Sequence, residues 1–147
     1  MARLAKDIMT SNPACCSPNT TLDQVAKMMV QNDCGEIPIV DTSDCVIGVI
    51  TDRDIVCRVV AQGLNPAGRV ADGYMTRQVV TVREETPLDD VIHTMERHQI
   101  RRVPVVRDGG VCTGMISQAD LARAAGEHDV AELLCEVSQD TGRSAQL

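Results

Sequence analysis

Leu88, Val91, Ile92 and Met95 fall at i, i+3, i+4 and i+7, the stripe by which an amphipathic helix buries one face. The same stripe stands earlier as Leu22, Val25, Ala26 and Met29. Thr20 precedes Asp23 by three residues, and Thr86-Pro87-Leu88-Asp89 adds Pro at the first helical position. Both stretches therefore predict an N-cap hydroxyl with an acidic third residue. Short apolar runs follow at 36–40 and 45–51, joined by Asp41-Thr42-Ser43-Asp44, and again at 102–106 and 111–117 around Arg107-Asp108-Gly109-Gly110. They read as strands joined by turns. A second helix is predicted over 52–62 and over 118–125, with Gly63 and Gly126 placed to stop it. Short helical leads at 4–9 and 70–75, then extended stretches at 14–16 and 79–82, open the two halves.

Residues 4–57 realign on 70–123 at a constant offset of 66 with no gap, pairing Met9 with Met75, Asp23 with Asp89, Pro38 with Pro104, Gly48 with Gly114 and Asp54 with Asp120. A period this long is not a solenoid repeat, so two copies of a small α/β unit are expected. The predicted order is strand, helix, strand, strand, helix, twice: an α/β (α+β) fold with repeats at 1–63 and 64–126. Units of about 60 residues bury too little apolar surface to be stable alone, so the halves are expected to share a core. Beyond the repeat, 127–147 predicts a C-terminal helix, with Val130, Leu133, Leu134 and Val137 on one face, and a polar tail.

Composition narrows the chemistry. The chain has no Trp, no Phe and a single tyrosine, Tyr74, among 44% apolar residues, so its core is built of aliphatic and sulfur side chains and it lacks a base-stacking platform. A net charge of −7 repels a phosphate backbone, which argues against nucleic acid as a partner. With no long apolar run and no signal-like N-terminus, no membrane association and a cytoplasmic location are expected. The cysteines number seven, an odd count. Cys16, Cys34, Cys45 and Cys112 align with Val82, Ile100, Val111 and Val46, as expected of reduced thiols acting as small hydrophobes.

Thr51 to Asp54 and Ser117 to Asp120 share the spacing S/T-x-x-D directly after a glycine-containing strand. As a bare pattern it is a capping box. The segments Asp7-Ile8-Met9-Thr10 and Gly73-Tyr74-Met75-Thr76, Ile37-Pro38-Ile39-Val40-Asp41 and Val103-Pro104-Val105-Val106, and above all Gly48-Val49-Ile50-Thr51-Asp52-Arg53-Asp54 and Gly114-Met115-Ile116-Ser117-Gln118-Ala119-Asp120, together resemble a tandem pair of CBS domains, often called a Bateman module. With Arg101-Arg102-Val103-Pro104 and the added helix, the layout resembles the small stand-alone bacterial CBS-pair proteins.

The resemblance implies two repeats packed with pseudo-two-fold symmetry and a cleft between them. That cleft would bind adenosine-containing ligands (AMP, ADP, ATP or S-adenosylmethionine, with or without Mg) and report to a regulated protein that the sequence does not identify. The implied ligand residues are Thr10, Ile37, Pro38, Thr51, Arg53, Asp54, Thr76, Arg101, Arg102, Val103, Pro104, Ser117 and Asp120. Their chemistry supports this reading. An ionised carboxylate accepts hydrogen bonds only, which suits a pair of ribose hydroxyls. The N–H groups of the following helix would attract phosphate, and the two glycines would admit a ligand to the backbone. Without Trp or Phe, adenine would lie between aliphatic faces such as Ile37, Pro38, Val103 and Pro104. Arg53 faces Ala119 in the alignment, and Arg101-Arg102 faces Gly35-Glu36, so the two sites are expected to be unequal.

Other classes fit less well. An enzyme would need Cys15, Cys16 or Cys57 as nucleophile with His93, His98 or His128 as base, and no nucleophile turn flanks any of them. No metal site is expected, because the only close cysteine pair is vicinal; a redox role for that pair stays open. No covalently bound cofactor is expected, and a homodimer is. The competing reading is a ligand-free scaffold for dimerisation or partner docking.

Overall fold

The computed structural model describes residues 3–124; the expected C-terminal helix and tail lie outside the described residues. In chain order the elements are α1 (Ala5–Ile8), β1 (Thr10–Ser11), α2 (Leu22–Gln31), β2 (Glu36–Val40), β3 (Val46–Thr51), α3 (Asp52–Ile55), β4 (Val82–Arg83), α4 (Leu88–His98), β5 (Arg102–Arg107), β6 (Val111–Ser117) and α5 (Gln118–Ala124). Among the described residues no helix is long and apolar enough to cross a membrane. The helix expected over 52–62 is not uniform: after Ile55 it widens into a π-helix, Val56–Val60. Ala61 N–H bonds Val56 O at 2.8 Å and Leu64 N–H bonds Val59 O at 3.0 Å. The β-branched residues Ile55, Val56, Val59 and Val60, which favour the α turn less than straight-chain residues do, fall at this transition.

The described chain groups into two compact units that do not follow the linear boundary at 63 and 64. One holds the residues up to Asn12, Val80–Arg107 and the segment from Thr113; the other holds Pro13–Val79 and Asp108–Cys112. Each copy's lead has thus been exchanged into the unit of the other copy, and the pairings show how.

In the first unit the sheet order is β1-β6-β5-β4. Thr10 pairs antiparallel with Met115, Val82 pairs parallel with Val105, and Leu4 bridges Pro87. In the second, β2 and β3 form an antiparallel pair with a bulge between Ile39 and Val40. Val49 bridges Thr76, Cys16 bridges Ile39 in parallel, and Thr21 bridges Val70. Every one of these three bridges is its counterpart in the first unit displaced by 66 residues.

The exchange also explains how α2 and α4 begin. Thr20 and Thr86 were expected as N-caps, but the helices start one residue later than that reading requires, after Thr21 and Pro87, with no side-chain cap bond in either. The Thr86 hydroxyl is engaged in the preceding turn, accepting from Arg83 N–H at 2.9 Å. The first helical N–H groups are satisfied instead by the leads: Leu88 donates to Arg3 O and Leu22 to Arg69 O, both at 2.9 Å.

Two buried clusters are present among the described residues, and each draws on both copies of the repeat. One cluster joins Leu88, Val91, Ile92 and Met95 of α4 with Val103, Val105, Ile116, Leu121 and Ala5 of the exchanged lead. The other joins Leu22, Val25 and Met29 of α2 with Ile37, Ile39, Ile50, Ile55, Val59, Cys16, and Ala71 and Met75 of the other lead. The stripes read from the sequence are the faces that are buried. In each unit the lead of the other copy contributes to the buried cluster.

Candidate functional site

Each S/T-x-x-D segment lies where a buried strand runs directly into a helix. Thr51 is extended (φ −107°, ψ 161°) and closes a reciprocal pair with Asp54. Thr51 Oγ1 accepts from Asp54 N–H at 3.0 Å, and Asp54 Oδ2 accepts from Thr51 N–H at 3.0 Å. In the other copy Ser117 Oγ accepts from Asp120 N–H at 3.3 Å, while Asp120 Oδ2 accepts from Ser117 N–H at 2.8 Å and from the Ser117 hydroxyl at 3.1 Å.

The two carboxylates part company at their second oxygen. Asp120 Oδ1 pairs with Arg123 at 2.5 Å, and the aspartate side chain is 8% exposed against 72% for the arginine. Position 57, which corresponds to Arg123, is an exposed cysteine. Arg123 was missed in the sequence; its spacing of three from Asp120 on one helix was the available signal.

The helix N-termini are less open than expected. Asp52 N–H bonds Gly35 O at 2.9 Å, Arg53 N–H bonds Asp52 Oδ1 at 2.8 Å, and Asp54 N–H bonds Thr51. These donors of α3 are taken by the protein, so a phosphate does not find them free. On α5, Gln118 N–H bonds Arg101 O at 3.1 Å. The glycines are also occupied: a Cβ at Gly48 would lie 2.6 Å from Met75 Sδ, and one at Gly114 would lie 2.8 Å from Met9 Cγ. Their lack of a side chain admits the leads' methionines.

The remaining residues sort by unit. Ile37, Pro38, Thr51, Arg53, Asp54 and Thr76 belong to one; Thr10, Arg101, Arg102, Val103, Pro104, Ser117 and Asp120 belong to the other. The exchange of leads therefore sets Thr76 in the unit of Thr51 and Thr10 in the unit of Ser117. Thr76 N–H and C=O both bond Val49, at 2.9 and 3.0 Å, leaving its side chain exposed. Ile37 and Val103 are fully buried in the two cores, so their side chains are not available to a ligand; Pro38 and Pro104 are buried too. Arg53 and Arg101 are exposed and Arg102 half-buried.

Among the cysteines, burial pushes the Cys16 thiol up to about 11. Hydrogen bonding to Cys112, burial and the nearby Asp44 push Cys15 well above its ordinary value. Among the described residues no group of three or more His, Cys, Asp or Glu side chains is placed to hold a metal ion.

Hypoxic response protein 1 of Mycobacterium tuberculosis is 33% identical over 130 residues, covering 88% of this chain and 90% of its own length. Its structure, solved with two coordinated zinc ions, superposes with a TM-score of 0.77 over 84% of this chain and 100% of that one. The CBS domain pair of protein MJ0100, in complex with 5′-methylthioadenosine and S-adenosyl-L-methionine, matches at 31% identity and a TM-score of 0.75, over 84% and 95% of the two chains. CBSX2 in complex with AMP matches at 25% identity and a TM-score of 0.72, over 83% and 95%. The CBS domain family model matches twice, at residues 5–61 and 70–127. With both copies matched and the α+β repeat architecture in place, the chain belongs to the CBS-domain family, as a tandem pair.

Proposed function

We propose that this chain is a regulatory module that binds an adenosine-containing ligand, AMP, ADP, ATP or S-adenosylmethionine, and passes its occupancy to another protein. The observation that carries the reading is the pair of strand-to-helix carboxylates, Asp54 and Asp120, built twice in one frame. Solved CBS pairs similar to this chain hold AMP, or 5′-methylthioadenosine with S-adenosylmethionine. The capping bonds do not exclude ligand: an ionised carboxylate offers roughly four acceptor sites, and Thr51 N–H uses one on Asp54. The remainder suits vicinal ribose hydroxyls. Thr10 and Thr76 add exposed hydroxyls in the respective units, and Arg53, Arg101 and Arg102 supply charge-assisted bonds to a phosphate. Because Ile37, Pro38, Val103 and Pro104 are all buried, adenine would be read by strand backbone. The module acts without catalysis, as a cytoplasmic homodimer.

Titration calorimetry with the four ligands on the wild type, Asp54→Ala and Asp120→Ala tests this. Loss of one class of heat in each variant is expected, with thermal melts confirming that both fold. Unchanged heats in both variants would overturn the carboxylate assignment.

A second reading, a ligand-free interaction scaffold, is favoured by one feature. Val30, Val56 and Val60 are exposed at 82, 56 and 56%, and Val30 borders a shallow groove of about 290 Å³ with Ala26, Lys27 and Gln31. Absence of heat with every ligand would support it.

A further inference from the structure

The two strand-to-helix junctions share a backbone and differ in charge. In one, Asp52 N–H bonds Gly35 O at 2.9 Å, and Glu36 is the cross-strand partner of Thr51. In the other, Gln118 N–H bonds Arg101 O at 3.1 Å, which sets Arg101, with Arg102 next to it at the start of β5, where Gly35 and Glu36 stand in the first. Within its own unit Asp54 is therefore accompanied by Glu36, Asp52 and Arg53, three carboxylates to one guanidinium. Asp120 is accompanied by Arg101, Arg102 and Arg123, three guanidiniums to one carboxylate. Arg123, at 2.5 Å from Asp120 Oδ1, offsets that carboxylate, so Arg101 and Arg102 leave the junction positive. The charges beside the exchanged threonines are engaged elsewhere. Arg77, next to Thr76, pairs with Asp72 at 2.7 Å, Arg58 bonds the Tyr74 carbonyl, and Asp7, three residues before Thr10, accepts from Leu4 N–H at 2.8 Å.

We propose that the two sites divide adenosine ligands by the charge of the 5′ substituent: the Asp120 site takes adenosine carrying a 5′-phosphate, and the Asp54 site takes adenosine with an uncharged or cationic 5′ substituent, the thioether and sulfonium class. This division rests on the reading of Asp54 and Asp120 as ribose ligands and adds what selects the group beyond the ribose. At the Asp120 site a phosphate meets Arg101 and Arg102, whose planar guanidiniums donate charge-assisted hydrogen bonds in pairs. At the Asp54 site the same phosphate is opposed by Glu36, Asp52 and Asp54, with Arg53 to offset one of them, whereas a sulfonium is attracted by the same carboxylates. Reversing the sign of the surroundings on a fixed backbone changes which ligand is repelled and leaves the ribose grip as it is. The chain would hold one ligand of each kind at once, and its output would depend on both.

Titration calorimetry on the full chain tests this, with AMP on one side and 5′-methylthioadenosine and S-adenosylmethionine on the other. The variants are Asp54→Ala, Asp120→Ala and the charge exchanges Arg102→Glu and Glu36→Arg, with thermal melts to check folding. The AMP heat is expected to vanish in Asp120→Ala and persist in Asp54→Ala, and the other two ligands should do the reverse. Salt should weaken AMP and leave 5′-methylthioadenosine unchanged. Arg102→Glu should weaken AMP about tenfold or more, the worth of one charge-assisted bond, without touching the other ligands. Glu36→Arg should add a second AMP site; Glu36→Gln, which keeps the shape of the side chain, should move AMP the same way if the arginine variant does not fold. Equal losses of AMP and 5′-methylthioadenosine in both carboxylate variants would overturn the division while leaving the carboxylate reading intact, as would an AMP affinity indifferent to Arg102→Glu. Unchanged heats in both carboxylate variants, or no heat from the wild type, would overturn that reading and the division with it.

Discussion

Met75 fills the space that a side chain at Gly48 would need: a Cβ there would sit 2.6 Å from Met75 Sδ and 3.1 Å from Thr76 O. Met9 stands in the same relation to Gly114, its own Cβ 3.1 Å from where a Cβ at Gly114 would lie. Gly48→Ala and Gly114→Ala are each expected to destabilise the protein by about 1–3 kcal/mol, the usual cost of overpacking a filled site. Urea denaturation measures it, and Met75→Ala should relieve most of the Gly48→Ala cost but none of that of Gly114→Ala.

The exchanged leads make a directional prediction. Leu88 N–H is held by Arg3 O and Leu22 N–H by Arg69 O. A chain lacking residues 1–12 should lose hydrogen-exchange protection at the start of α4 and keep it at the start of α2. Equal loss at both helices would contradict the assignment of the leads.

Arg123 distinguishes the two carboxylates. Its side chain is 72% exposed, so the ion pair with Asp120 contributes little, and Arg123→Ala should change stability by less than about 1 kcal/mol. If Asp120 takes ribose, freeing Oδ1 should tighten adenosine binding at that site alone. Calorimetry on Arg123→Ala in an Asp54→Ala background reads it without interference from the other carboxylate.

Cys16 gives the pH dependence. Burial raises its thiol from 9.0 to about 11, so between those values the unfolded chain sheds a proton that the folded chain keeps. The stabilisation is fully present below pH 9 and falls as pH rises towards 11. Thermal melts across this range should decline more steeply for wild type than for Cys16→Val.

The carboxylate pair is also a stability element. Thr51→Ala removes the acceptor for Asp54 N–H while leaving the carboxylate in place, and should cost about 1 kcal/mol, as caps do. Its effect on ligand heats should be smaller than that of Asp54→Ala; an equal effect would mean that the cap geometry, not the carboxylate, governs binding.

Much of this protein was determined by its sequence. The stripes of α2 and α4, the strand pairs around 36–51 and 102–117, and the capping boxes at Thr51 and Ser117 all depend on contacts among residues close in the chain, which periodicity and spacing encode. The offset of 66 likewise announced a tandem pair. Tertiary structure decided what no local pattern carries. It determined which copy each lead would join, that the first amides of α2 and α4 would be satisfied by those leads rather than by Thr20 and Thr86, and that methionines would lie over Gly48 and Gly114. In a duplicated chain a lead is chemically suited to either copy. Only the three-dimensional closure of the chain selects the partner, and with it the side chains that surround each aspartate.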